Sequence, residues 1–249
     1  MNRCIFIGPS LGSLPISEGI TVYPPAAMGS IFLATQAGYD VIALVDGVFG
    51  NVPAVWHKEI LFALSQGVVV IGGGSIGAIR ASELAEYGMI GIGRAYRLFR
   101  RGMTDDDEVA LAHLSEEFNF APLTEPMINV RFTARKLFRV GLLDKHEEVQ
   151  FVNLVKGIYF AHRDIPRVLD CLKSVTTSAS HETAVQAYRD LHVDVKRQDA
   201  QCVMDFLQQG MYRRNTLRWS FPNTCHWKDH FDQLVHEIPN LTERKSTRR

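Results

Sequence analysis

The sequence is short of the features that would assign it to a special class. Cysteine is scarce: Cys4, Cys171, Cys202 and Cys225 are all there is, and they share no metal or redox spacing. Reduced thiols in a cytoplasmic protein are therefore the expectation. The opening residues lack the pattern of a secretory signal, and no apolar run approaches the length of a membrane span. An excess of one charge is missing as well. Lys plus Arg and Asp plus Glu number 27 each, so no net field recruits nucleic acid or a membrane surface. From residue 196 onward ten basic residues stand against six acidic, a mild basic excess that reads as a solvated face or a partner surface. There is no internal repeat. What is present is apolar mass: 46% hydrophobic residues in a chain of 249, enough for one large domain or two small ones.

The chain is organised around residues 46–83. Residues 40–45 are an apolar run that ends at Asp46-Gly47. Pro53 suits the first position of a helix, where a missing N–H costs nothing, and that helix would run to residue 66 with Gly67 as its stop. Val68-Val69-Val70-Ile71 reads as a strand buried on both faces. Three glycines and Ser75 then turn the chain into a second helix over residues 78–86. In such a β-α-β-α unit both turns open at the carboxyl ends of parallel strands, where α/β sheets place their ligands.

Taken in order, residues 3–7 form a first strand that ends in the loop 8–12, and residues 19–22 a second short one. Pro25 opens a helix that ends at Gly38, and residues 89–93 form a thin strand. Residues 94–101 read as a helix with Ala95, Leu98 and Phe99 on one side. The acidic run from Asp105 to Glu108, after Thr104, reads as the capped start of a helix over 109–113. Helical spacing fills 129–138, 147–160, 165–173, 181–191 and 195–209. The fold class is α/β, a mostly parallel sheet with flanking helices, with a helical C-terminal region.

The glycine turn admits three readings. Gly72, Gly74 and Gly77 fit the dinucleotide fingerprint, but the acidic residue due about 20 positions on is missing. Gly73, Ser75 and Gly77 fit a nucleophile elbow, which exposes a serine oxygen on a tight strand-to-helix turn. The third is a structural turn in which Ser75 caps a helix. A serine nucleophile needs a base, and no histidine is nominated by its spacing, although His57 is the nearest. Lys58 lies among Val55, Trp56, Ile60 and Leu61, so it is either a buried base for Ser75 or a surface lysine. Ser10 also follows a strand end and is the next candidate nucleophile. Arg80 either steers an anionic tail or pairs with Glu83 at i+3. Cys225, His226, His230 and His236 offer zinc-ligand types at irregular spacing. No metal and no cofactor are expected.

Several long motifs occur together: Gly8-Pro9-Ser10-Leu11, Asp46-Gly47-x-Phe49, residues 52–61, the run from Ser75 to Leu84, and Asp105-Asp106-Asp107-Glu108-Val109-Ala110. They resemble the TfuA-like core domain over about residues 3–141. The resemblance sets a core of 1–141; helical spacing gives a helical region of 142–240, and the composition of 241–249 reads as a disordered tail. It implies partnership with a YcaO enzyme in peptide backbone thioamidation. It also implies hydrolysis of a thiocarboxylated ThiS-like carrier, releasing sulfide, at a Ser–Lys pair. Ser75 and Lys58 suit those roles, with the N–H groups of Ile76 and Gly77 as oxyanion donors. Gly74, Ser10, Asp46, His57 and Arg80 would line the substrate path. The alternative is a non-catalytic adaptor that docks YcaO and its precursor peptide.

Overall fold

The computed structural model describes residues 1–12, 14–16, 18–48, 52–177, 180–212 and 219–231, apart from the side chains of His226 and His230. The expected tail lies outside the described residues. Two compact units emerge, Met1–Thr104 with Arg197–Arg249, and Asp105–Lys196.

The first unit is built on five strands: β1 (Arg3–Phe6), β2 (Ile20–Tyr23), β3 (Val41–Leu44), β4 (Val69–Gly73) and β5 (Ile90–Ile92). They pair in the order β2-β1-β3-β4-β5 and every pairing is parallel. Phe6 stands level with Leu44, and Leu44 with Gly72, so three strands end along one edge.

Helices α1 (Ser30–Gln36), α2 (His57–Ser65) and α3 (Ile76–Leu84) make the three crossovers that run towards β5. Right-handed crossovers in one direction put their helices on one face. Accordingly Ile31, Ala34, Ile60, Ala63, Ile76 and Ala81 pack with Phe6, Ile42, Leu44 and Val70. The connection from β1 to β2 runs the other way and brings Leu11 and Leu14 to the opposite face. That face presents Ile5, Val41, Ala43, Val45, Val69 and Ile71, and α9 (Val195–Gln209) covers it with Ala200, Val203, Met204 and Leu207. Burying a large apolar side chain contributes about 1.5–3 kcal/mol, so this one row supplies several kcal/mol. After β5 comes α4 (Gly93–Arg100), whose first amides, Arg94 and Ala95, donate to the buried Asp199 carboxylate of α9 at 2.7 and 2.8 Å. Burial lifts that carboxyl above its usual range against the pull of the two bonds.

Two helices begin later than their prolines suggest. α2 starts at His57 rather than Pro53, and α1 at Ser30 rather than Pro25. The reason is Glu59. One of its oxygens accepts from Trp56 N–H at 2.8 Å and Gly29 N–H at 3.1 Å, and the other from Ile31 and Phe32 N–H at 2.9 and 3.3 Å. A single buried carboxylate thus answers the orphan amides at two helix starts. Burial pushes its pKa up to about 7 against these four bonds. The helix expected over 78–86 begins earlier, at Ile76, and gives way to a 3-10 turn over Ala85–Tyr87. A further helix, α10 (Cys225–Phe231), carries no strong periodic signal in so short a stretch; Trp227 and Phe231 seat it on Phe32, Leu33, Trp56 and Phe62.

The second unit is helical, with α5 (Met127–Arg139), α6 (Lys145–Lys156), α7 (Ile165–Val175) and α8 (His181–Asp190). Val130, Leu137, Phe151, Val168, Leu172 and Tyr188 form its core. Gly141, the expected boundary, lies in the turn between α5 and α6. The helix expected over 109–113 is absent. Only a 3-10 turn, Asp106–Glu108, follows the Asp105 cap, and His113 sits in an isolated bridge to Pro122. The acidic side chains are drawn elsewhere. Glu108 takes both prongs of Arg131 at 2.8 Å, while Asp107 accepts from Lys156 at 2.7 Å and from the fully buried Arg163 at 2.8 Å.

Candidate functional site

The strand order reverses between β1 and β3, and doubly wound sheets take their ligands at the carboxyl ends of the strands flanking such a reversal. Here that edge carries the loop 8–12 after β1, Asp46-Gly47 after β3 and the glycine turn after β4. Asp46 is buried. Its carboxylate accepts from Gly8 N–H and Ser10 N–H, each at 2.9 Å, and from the Ser10 hydroxyl at 2.8 Å. Two loop amides of the kind that cradle a phosphate are therefore occupied by a carboxylate of the chain itself. Ala26 N–H donates to the Asp46 carbonyl at 2.9 Å, which ties in the end of β2. Gly47 lies against α3: a Cβ there would stand 2.7 Å from the Ile76 side chain. Ser10, Asp46 and Ile76 thus share one edge.

The glycine turn is tight. Ser75 N–H donates to the Gly73 carbonyl at 2.8 Å, a three-residue turn whose central Gly74 has φ 71°. A side chain at that φ would be strained, and glycine is not. Gly77 serves a different need. A Cβ on it would stand 1.8 Å from the Leu44 carbonyl oxygen, so only glycine lets α3 rest on β3.

Ser75 then begins α3, and its carbonyl accepts from Ala78 N–H at 2.8 Å. Its hydroxyl does not cap the helix, contrary to the structural reading of the turn. Ser75 is 2% exposed, and its hydroxyl makes no hydrogen bond to a described residue. Of the two amides expected at an oxyanion, Gly77 N–H donates to the Val45 carbonyl at 3.2 Å. Ile76 N–H has no acceptor among the described residues.

Lys58 stands elsewhere. On the first turn of α2, its Nζ donates to Thr224 Oγ1 at 2.6 Å and lies 5.6 and 5.8 Å from the ring centres of Phe221 and Trp227. No bond joins it to Ser75. His57 and Arg80 both reach Glu83, at 2.7 and 2.9 Å, and Arg80 also donates to the Val55 carbonyl at 2.9 Å. Burial acts to raise the Glu83 carboxyl, but the bonds from His57 and Arg80 outweigh it and hold it below the usual range. For Arg80 the i+3 ion pair is the arrangement found.

Sequence reasoning missed three participants: Glu59, Thr224 and the Phe221–Trp227 pair of rings. Glu59 had a local signal, since it is the third helical residue after Trp56 and reaches back to it as in a capping box. Thr224 is 166 residues from Lys58 and had none. Of the zinc-type residues, Cys225 is an exposed free thiol, His236 lies outside the described residues and so do the His226 and His230 side chains. Among the described residues no group of three or more His, Cys, Asp or Glu side chains is placed to hold a metal ion, and no described helix is long and apolar enough to cross a membrane.

Comparison with known families matches residues 46–164 to the TfuA-like protein family. A comparison with curated proteins finds no match.

Proposed function

We propose that this chain, which belongs to the TfuA-like family through residues 46–164, is a sulfide-releasing hydrolase of a thiocarboxylated ThiS-like carrier, working beside a YcaO enzyme in peptide thioamidation. The observation that carries the reading is Ser75, a residue 2% exposed whose hydroxyl makes no hydrogen bond to a described residue, on a glycine turn at the edge where α/β sheets bind ligands.

In this reaction Ser75 Oγ attacks the thiocarboxylate carbon while Lys58 takes the hydroxyl proton. The oxyanion is met by Ile76 N–H at the start of α3, aided by the helix dipole. The C–S bond breaks, Lys58 returns the proton to the departing sulfur, and hydrosulfide leaves. The carrier remains as an ester on Ser75. Water then attacks the ester carbon, its proton passes through Lys58 to Ser75 Oγ, and the carrier carboxylate is freed. Hydrosulfide leaves far more readily than an amine, so the site does without a dedicated His–Asp pair. Glu59 ties together the starts of α1 and α2 and so sets where the Lys58 stem begins.

Sulfide release from the thiocarboxylated carrier, assayed without YcaO, tests the reading. Ser75→Ala is expected to lower turnover by about 100-fold or more with an unchanged melting curve. Wild-type turnover in a folded Ser75→Ala protein would remove Ser75 from the mechanism.

A further inference from the structure

We propose that residues 219–231 form a strap that holds Lys58 out of action, so that hydrolysis waits on its release. This rests on the hydrolase reading above, in which Lys58 is the base.

The strap is firmly seated. Trp227 stacks on Phe231 with ring centres 4.1 Å apart, and both rings pack edge-on or tilted against Phe32, at 5.6 and 5.0 Å. Trp227 also lies 5.3 Å from Phe62, and Phe231 lies 6.0 Å from Trp56. All these partners belong to α1, α2 or the residue just before α2. Trp227 and Phe231 are buried by this packing. Thr224 stands just before α10, with Trp227 N–H directed at its Oγ1 at 3.4 Å.

Each strap contact to Lys58 is one that an ammonium makes. A hydroxyl oxygen accepts from it at 2.6 Å, and two aromatic faces flank it within 6 Å. A base must instead turn a lone pair to the serine proton. While Nζ is engaged by Thr224, Phe221 and Trp227 it is not engaged by Ser75. Among the described residues, only the Thr224 hydroxyl both touches Nζ and lies outside the aromatic anchor. It can be altered with the strap still in place.

Two variants of the full chain test this, each read in two ways. One reading is the rate at which Lys58 is acylated by an amine-reactive reagent, mapped on the Lys58 peptide by mass spectrometry. The other is sulfide release from the thiocarboxylated carrier. Thr224→Val is expected to raise both rates about fivefold, the effect of losing one solvent-exposed hydrogen bond. Thr224→Ser, which keeps the hydroxyl, should restore wild-type rates in both assays. That recovery separates a positioning role from loss of packing. If Lys58 in Thr224→Val is acylated at the wild-type rate, the strap does not hold it and the proposal is overturned. Faster acylation with unchanged or slower sulfide release from an active protein overturns it too, because the hold is then not inhibitory. Sulfide release at the Ser75→Ala level from wild type and both variants would instead defeat the hydrolase reading, and the strap's inhibitory role with it.

Discussion

His192 shows how far one side chain can be read and what it then predicts. Its Nε2 lies 2.7 Å from Glu125 Oε1, and that bond raises the imidazole pKa above its usual value, despite partial burial. The folded chain therefore keeps a proton that the unfolded chain releases near pH 6.5. The stabilisation is complete below about pH 6.5 and is lost as pH climbs through the folded value. The melting temperature is expected to fall as pH rises above about 6.5, and His192→Gln to flatten that fall, as followed by circular dichroism. An equally steep fall in the variant would mean that another group sets the slope. Neither this pair nor the reach of Glu59 to Gly29 was legible in the sequence. Glu125 is 67 residues from His192, and Gly29 is 30 from Glu59, and no local pattern links groups that meet only in the fold. The turn that carries Ser75 was legible because its signal is local: a β-branched strand, glycines that a tight turn requires, and a helix immediately after.

Among the elements, the strands were the clearest. Buried parallel strands read as unbroken apolar runs, and those at 3–7, 40–45 and 68–71 became β1, β3 and β4 with their ends shifted by a residue or two. Helix starts were less clear. Pro25 and Pro53 are plausible first residues, but four amides converging on Glu59 place both starts later. The acidic run from Asp105 misled for a related reason: a capping pattern yields to three cations that claim its carboxylates. α10 was missed because its stability comes from the aromatic seat and not from its own sequence. The junction of α3 with β3 is the least tolerant element in the sheet unit. Gly77→Ala would press a methyl group into the Leu44 carbonyl, backbone against backbone, with nothing flexible to give way. A loss of about 3 kcal/mol or more in urea unfolding is expected. Gly157→Ala, in right-handed backbone at φ −67°, should change stability by no more than about 1 kcal/mol. Equal effects of the two would mean that α3 can lift from the sheet at little cost.

At the scale of the whole molecule, the last third of the chain is more than an appended helical layer. α9 returns to the sheet unit and closes its second face, so a chain ended at Gly141 would expose Ile5, Val41, Val45 and Ile71 together. Partner docking on the helical unit is better probed with surface substitutions in the full protein. The chemistry proposed here concentrates on one serine at the sheet edge, Ser75, with Ser10 bonded to Asp46 as the neighbouring serine. The most direct measurement is therefore the covalent intermediate. Wild-type protein mixed with thiocarboxylated carrier, quenched in acid within a single turnover and digested, should yield a carrier ester mapped by mass spectrometry to the Ser75 peptide. An ester on the Ser10 peptide, or sulfide release at full rate with no ester on Ser75, would contradict the account.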